Sequence, residues 1–64
     1  MDKRLIITIP HYNNFEGLLT SIRSIREQFE IDIVITDDGS NSKLNEKLII
    51  SSYKNQGKIF FQYL

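Results

Sequence analysis

Ile33-Val34-Ile35-Thr36-Asp37-Asp38-Gly39-Ser40 decides the fold, because a β-branched apolar run leads directly into a loop of turn-forming residues. A short apolar run bounded by turn signals is typical of a buried β-strand. The run is apolar nearly throughout rather than alternating, which favours a parallel strand covered on both faces. The sequence therefore predicts a strand over 31–36 and a loop over 37–42.

The chain before this stretch holds another apolar run and then an amphipathic helix. Leu5-Ile6-Ile7-Thr8-Ile9 is followed by Pro10, the only proline. Because proline cannot donate to a ladder, Pro10 is expected to close the first strand. Asn13, with Glu16 three residues later, is expected to form a capping box that starts the helix. Helical spacing then relates the apolar residues Phe15, Leu18, Leu19, Ile22, Ile25 and Phe29.

A shorter helix and a third strand follow the central loop. One of Ser40, Asn41 and Ser42 is expected to cap this helix. Gly57 is expected to end it at positive φ, and residues 58–64 form the last strand. The resulting βαβαβ order predicts an α/β fold with a three-stranded parallel sheet. The buried side of the helix is expected to consist of Leu44, Leu48, Ile49 and Tyr53.

This topology predicts that one face of the sheet is bare. Crossovers between parallel strands are almost always right-handed, so strands that follow one another across the sheet place both helices on the same face. Strands that are apolar on both sides would then expose a large apolar patch. We expect either further chain or a second copy of this chain to cover it. The chain also ends inside an apolar strand, at Leu64, which indicates that residues 1–64 are a fragment of a larger domain.

The same topology brings two polar loops together. Ligands of open α/β sheets bind at the carboxyl ends of the strands, and adjacent strands lie about 4.8 Å apart. Residues 10–13 and 37–40 therefore leave neighbouring strands at one edge. The ring of Tyr12 can stack on a base, while a carboxylate of Asp37 or Asp38 can accept from a base or a ribose hydroxyl. The sequence predicts a nucleoside-binding shelf.

The two motifs Ile7-Thr8-Ile9-Pro10-His11-Tyr12-Asn13-Asn14 and Ile33-Val34-Ile35-Thr36-Asp37-Asp38-Gly39-Ser40 together resemble the start of a family 2 glycosyltransferase. The resemblance covers essentially the whole chain and implies the Rossmann-like first part of a GT-A fold. It implies that Tyr12 packs on uracil or another base and that Asp38 hydrogen-bonds the base. Asp37 would support the ribose side or the loop. Pro10 and Asn13 of the first motif complete the nucleotide-binding candidates.

The resemblance also implies what the intact protein does. Such an enzyme transfers a sugar, with inversion, from a nucleotide diphosphate donor to an acceptor hydroxyl, and a UDP-sugar is the donor we expect. The family's Asp-x-Asp motif, which holds the diphosphate through Mg²⁺ or Mn²⁺, and its catalytic base lie downstream. We therefore expect no catalytic residue and no metal ligand in these 64 residues, which alone would be inactive. His11 stands where the family more often has a small residue, and we expect it to be conformational.

Composition narrows the classes of function. Eight basic and eight acidic residues leave no net charge, so no global field attracts nucleic acid or an anionic membrane. The apolar runs are far shorter than the roughly 20 residues that span a bilayer, and residues 1–9 do not have the pattern expected of a signal peptide. The absence of cysteine fits a reducing compartment. These features favour a cytoplasmic protein with no membrane contact from this segment.

Two alternatives remain. A haloacid-dehalogenase-like phosphatase carries a loop of similar sequence after a strand, but the position of its nucleophilic aspartate is held here by Thr36. A non-catalytic βαβαβ module that associates with itself through the bare face is the other alternative. An Asp-x-Asp motif beyond Leu64 in the parent gene would separate an enzyme fragment from such a module.

Overall fold

The computed structural model describes residues 5–64 and contains the predicted βαβαβ order. The strands pair in parallel in the order β1-β2-β3, with β2 in the centre. The predicted α/β class and parallel sheet are therefore confirmed. The elements are β1 at Leu5–His11, α1 at Phe15–Ser24, β2 at Ile31–Asp37, α2 at Glu46–Ser52 and β3 at Ile59–Tyr63.

Strand β1 runs through its proline. Pro10 is paired with Thr36 of β2, and the strand continues to His11. Among the described strands β1 pairs only with β2, and an edge strand tolerates a residue that lacks an N–H donor. The prediction that Pro10 closes the strand was wrong. The longer ladder brings one further residue of each strand to the carboxyl edge.

Both helices lie on one face of the sheet, as the topology predicts, and contact each other there. Ile33 and Ile35 of β2 are fully buried beneath them. Ile22 of α1 and Ile49 of α2 are buried against these two residues. Complete burial of such a side chain contributes about 1.5 to 3 kcal/mol. The buried cluster also contains Leu18, Leu19 and Leu44.

The opposite face of the sheet is not covered by either helix. Ile6 of β1 is 61% exposed and Phe60 of β3 is 51% exposed. Polar groups share this face, where the hydroxyl of Thr36 donates to Oε1 of Gln62 at 3.4 Å. The bare face is therefore a mixture of apolar and polar side chains.

Helix α1 ends earlier than its apolar stripe predicts. Ile25 is its C-cap, and Phe29 lies beyond the helix with its side chain 54% exposed. Nδ2 of Asn55 donates to the carbonyl oxygens of Glu27, at 3.1 Å, and Phe29, at 2.8 Å. Both carbonyls would be among the last four of a helix that ended at Phe29, which have no partner within the helix, so these hydrogen bonds fix the segment that follows α1.

Gly57 does not end α2 and does not adopt positive φ, contrary to the prediction. The helix ends at Ser52 with Tyr53 as C-cap, and Gly39 is the described glycine with positive φ, at 76°. A Cβ on Gly57 would lie 1.9 Å from the carbonyl oxygen of Ile31. Close backbone approach is therefore what requires glycine at this position.

Helix α2 begins later than expected, and its N-cap is Asn45 rather than a residue of 40–42. Oδ1 of Asn45 accepts from the backbone N–H of Leu48 at 3.1 Å. Leu44 is buried just before the helix, whereas Leu48 is 38% exposed. Across residues 5–64, both helices are too short and too polar to traverse a bilayer.

Candidate functional site

The candidate site lies at the carboxyl edge of the sheet, where each strand contributes its last paired residue. These residues are His11, Asp37 and Tyr63. The backbone N–H of Asp38 donates to the carbonyl oxygen of His11 at 2.9 Å, and that of Leu64 donates to the carbonyl oxygen of Asp37 at 3.0 Å. The loops after β1 and β2 therefore start side by side, as the topology predicts.

Asp37 is the centre of a buried polar cluster. Its exposure is 5% and that of His11 is 6%. Nδ1 of His11 donates to Oδ1 of Asp37 at 2.7 Å. The hydroxyl of Ser40 donates to the same oxygen at 2.5 Å, and its backbone N–H donates to Oδ2 at 3.2 Å. The hydrogen bonds from Ser40 and then His11 hold the pKa of the Asp37 carboxyl below its ordinary value, although burial opposes them.

The hydrogen bonds of His11 fix the tautomer of its ring. Nε2 accepts from the backbone N–H of Asn14 at 3.1 Å. A ring nitrogen that accepts carries no proton, so the neutral ring holds its proton on Nδ1. Nδ1 also lies 3.3 Å from Oγ of Ser40. His11 thereby links the end of β1, the start of α1 and the loop after β2, which is the conformational role expected of it.

Asn13 and Asn14 have different roles, whereas the sequence predicted that Asn13 caps the helix. Asn14 is the N-cap of α1, since its Oδ1 accepts from the N–H of Gly17 at 3.2 Å. Asn13 has a φ of 47°, outside the extended region that N-cap residues adopt. Its N–H donates to Oγ of Ser40 and its Oδ1 accepts from the N–H of Asn41, both at 2.9 Å. The predicted capping by Asn13 was wrong, and Asn13 joins the two loops instead.

The two candidates for direct ligand contact are exposed. Tyr12 is 60% exposed, and Asp38 is exposed with a carboxylate that accepts no hydrogen bond from the described part of the chain. Each directly follows the last paired residue of its strand. Of the other candidates, Asp37 is buried, Asn13 is bonded across the loops and Pro10 is exposed within β1.

At this edge, residues of the described part of the chain line a larger and a smaller cavity. The larger, about 390 Å³, lies between the start of α1 and the loop after β2, and its lining includes His11, Asn13, Ser40 and Lys43. The smaller, about 190 Å³, lies between β1 and α1 and has Tyr12 in its lining. Only the larger falls within the range of about 300 to 1,000 Å³ that is usual for ligand pockets. Neither Tyr12 nor Asp38 lines this larger cavity.

A comparison with models of protein families identifies the family of this chain. The family model of glycosyl transferase family 2 matches residues 6–62, nearly the whole chain. The chain belongs to this family. The resemblance inferred from the two loop motifs is confirmed, and the match lends no support to the phosphatase alternative. Comparisons with curated proteins and with solved structures gave no match.

The described part of this family 2 chain does not fit a divalent cation. Within residues 5–64 no group of three or more His, Asp or Glu side chains is placed to hold a metal ion. Both carboxylate oxygens of Asp37 already accept hydrogen bonds from His11 or Ser40. Asp38 alone supplies far fewer than the six ligands that Mg²⁺ prefers.

The contacts of Ser40 and Asn41 in the site of this transferase-family chain were not predicted from the sequence. The bond from the Ser40 N–H to the Asp37 carboxylate is local, and an aspartate side chain often accepts from a nearby backbone N–H. The contacts of Asn13 with both residues span more than 25 positions. No local pattern reveals contacts of that length.

Proposed function

We propose that this chain holds the nucleoside of a sugar nucleotide in a glycosyltransferase that passes the sugar to an acceptor hydroxyl. Family membership supports the transfer reaction. The observation that carries the nucleoside assignment is the juxtaposition of two exposed groups, Tyr12 and Asp38, directly after strand ends that buried hydrogen bonds hold together. An aromatic ring can stack on a base, and a carboxylate can accept from a base N–H or a ribose hydroxyl.

The other three candidates support this contact in the proposal. Asp37 shapes the loop after β2, because both of its oxygens are used within the protein. Asn13 closes the two loops on each other, and Pro10 leads the chain into them. The donor we favour is a UDP-sugar. Mg²⁺ or Mn²⁺ would be held with the diphosphate by residues outside this segment and would stabilise the charge of the leaving nucleotide.

Binding by the isolated chain should be weak. Stacking of a base contributes about 1 to 3 kcal/mol, and a hydrogen bond to a charged group about 1.5 to 3 kcal/mol. Association itself costs at least about 4 kcal/mol. The difference falls short of the roughly 4.1 kcal/mol that corresponds to a Kd of 1 mM. We therefore expect a Kd for uridine diphosphate in the millimolar range or weaker.

A ¹H–¹⁵N NMR titration of the chain with uridine diphosphate tests the proposal. We expect amide shifts confined to residues 11–14 and 37–41. Uridine alone should reproduce most of the pattern, because the proposed contacts are to the nucleoside, whereas inorganic diphosphate should not. A chain that shows no shifts at high millimolar ligand, or the same shifts with diphosphate alone, would contradict nucleoside binding.

Matched variants identify the stacking residue. Tyr12→Phe keeps the ring and should keep the response, whereas Tyr12→Ala should abolish it. Phe29 is a suitable control, since it is a second exposed aromatic side chain, 54% exposed compared with 60% for Tyr12. It lies between α1 and β2, before the amino end of β2. Phe29→Ala should leave the titration unchanged, and an equal loss in both alanine variants would exclude a specific role for Tyr12.

Self-association is a second candidate function, favoured by the exposure of Ile6 and Phe60 on the uncovered sheet face. Sedimentation across a concentration series tests it. A dimer that Phe60→Asp converts to a monomer would support association through this face. A monomer at every concentration would exclude it.

A further inference from the structure

We propose that His11 is a positioning residue for nucleoside binding, holding the backbone at Tyr12 and Asp38 in a fixed relation through a neutral ring with its proton on Nδ1. This inference rests on the proposed function, because it concerns how that same site is assembled. In this proposal the buried side chain of His11 strengthens nucleoside binding without contacting the nucleoside.

The ring of His11 joins two segments that are remote in sequence. Nδ1 contacts Oδ1 of Asp37 at 2.7 Å, and Nε2 contacts the backbone N–H of Asn14 at 3.1 Å. Because His11 is 6% exposed, water cannot readily replace these partners. Breaking either contact would leave a buried polar group unpaired, which is unfavourable.

Tyr12 and Asp38, the proposed ligand-binding residues, each lie between residues that are held by hydrogen bonds. Tyr12 is preceded by His11 and followed by Asn13, whose N–H donates to Oγ of Ser40 at 2.9 Å. Asp38 is preceded by Asp37 and followed, after one glycine, by Ser40, whose N–H and hydroxyl both bond to Asp37. Neither exposed residue can shift its backbone far without straining one of these hydrogen bonds or the buried bond between His11 and Asp37.

The tautomer of His11 is required by both of its partners. With the proton on Nε2 instead, two donors would oppose each other at Asn14, and the Asp37 carboxylate would face a lone pair. A side chain that only filled space would have no such requirement. The polar geometry of His11, rather than its volume, is therefore what the loops depend on.

A long-range ¹H–¹⁵N spectrum of the imidazole ring tests the tautomer in the wild-type chain near neutral pH. We expect one protonated nitrogen, assigned to Nδ1, and one strongly downfield nitrogen without a proton, assigned to Nε2. A ring with its proton on Nε2, or with averaged nitrogen shifts, would overturn the proposal.

Two variants of nearly equal shape then separate hydrogen bonding from packing. His11→Asn keeps an N–H the same number of bonds from Cα as Nδ1, whereas His11→Leu keeps the bulk and loses the donor. We expect the initial slope of amide shift against uridine diphosphate concentration to fall about tenfold in His11→Leu, the factor that corresponds to about 1.4 kcal/mol. His11→Asn keeps a donor for Asp37 but loses the acceptor for Asn14, so it should retain more of the slope than His11→Leu. Amide signals of Ile33 and Ile49 report whether the core remains folded.

The outcomes distinguish this inference from the proposed function. If the wild-type chain gives no response to uridine diphosphate, the proposed function fails and the role of His11 in it fails too. If the wild type responds and folded His11→Leu responds equally, the positioning role alone is overturned. If His11→Leu does not fold, ¹⁵N relaxation of the Tyr12 and Asp38 amides in His11→Asn decides: wild-type order together with a retained slope supports the proposal, and mobile amides or a lost slope overturn it.

Discussion

Asn13 and Asn41 belong to different loops and are joined by a hydrogen bond of 2.9 Å from the backbone N–H of Asn41 to Oδ1 of Asn13. Asn13 reaches this position with a left-handed φ of 47°. Most L residues adopt that conformation at a cost of about 1 to 2 kcal/mol, whereas asparagine visits it readily. Local conformation and a long-range contact therefore both favour asparagine at this position.

Asn13→Ala and Asn13→Gly should separate these two contributions. We predict that Asn13→Ala lowers the free energy of unfolding by about 2 kcal/mol, because backbone strain adds to the lost hydrogen bond. Asn13→Gly should cost about 1 kcal/mol, because glycine accepts the φ value. Urea denaturation followed by circular dichroism measures both, with Asn13→Asp as the control that keeps an acceptor oxygen. Equal losses for alanine and glycine would rule out strain.

The pair Asn13 and Asn14 also shows where prediction from sequence reaches its limit. Both residues can cap a helix, and both stand before the same apolar stripe. Asn14 takes the cap because Asn13 is bonded to the loop after β2. A local pattern predicts that a helix starts here but cannot choose between neighbours when a contact 28 positions away decides.

The same reasoning explains which other features were predictable. The strands, the helices and their shared face follow from apolar spacing and crossover handedness, and the meeting of the Tyr12 and Asp38 loops follows from topology. The end of α1 was mispredicted because Phe29 fits the helical stripe although it lies beyond the helix. His11 is buried beside Asp37 because β1 and β2 form one more residue pair after Pro10. A proline argues against such a continuation of the strand, so this burial could not be predicted from the sequence.

Gly57→Ala should be far more destabilising than Gly39→Ala. A Cβ on Gly57 would meet the backbone of Ile31 at 1.9 Å, so a strand of the sheet would have to move. We expect a loss of about 3 kcal/mol or more, or failure to fold. Gly39 has a φ of 76° and open space around it, so its alanine variant should cost only about 1 kcal/mol in strain. Urea midpoints of the two variants provide the comparison, and similar midpoints would contradict the close approach of Gly57 to β2.

Asp37 should make the stability of the chain sensitive to acid. Hydrogen bonds from Ser40 and His11 depress the pKa of its carboxyl below the ordinary value of 3.8. A depressed pKa means that the folded state binds the proton less readily than the unfolded state does. The stabilisation is therefore fully present above pH 3.8 and is lost as pH falls through the depressed pKa. Carboxyl ¹³C shifts measure the pKa of Asp37, and acid denaturation curves measure the loss of stability.

Ser40→Ala removes the hydrogen bond that contributes most to the lowered pKa of Asp37. The pKa of Asp37 should therefore rise in this variant, and the pH midpoint of its acid unfolding should move to higher pH. Ser42→Ala is the matched control, because Ser42 is an exposed serine of the same loop. It should leave both values unchanged. An unaltered Asp37 pKa in Ser40→Ala would show that the hydroxyl does not stabilise the charged carboxylate.

Tyr63 should give the opposite response, in alkali. Its hydroxyl donates to a carboxylate oxygen of Glu46, and this bond raises the pKa of Tyr63 from 10.0 to about 12. A raised pKa means that the bond stabilises the fold fully below pH 10 and that this contribution is lost as pH rises through about 12. The ultraviolet absorbance of phenolate, taken as the difference between the wild type and Tyr63→Phe, isolates this titration. Glu46→Ala should return its midpoint towards 10.0. A wild-type Tyr63 that already titrates near 10.0 would mean that the start of α2 is not joined to the end of β3 in solution.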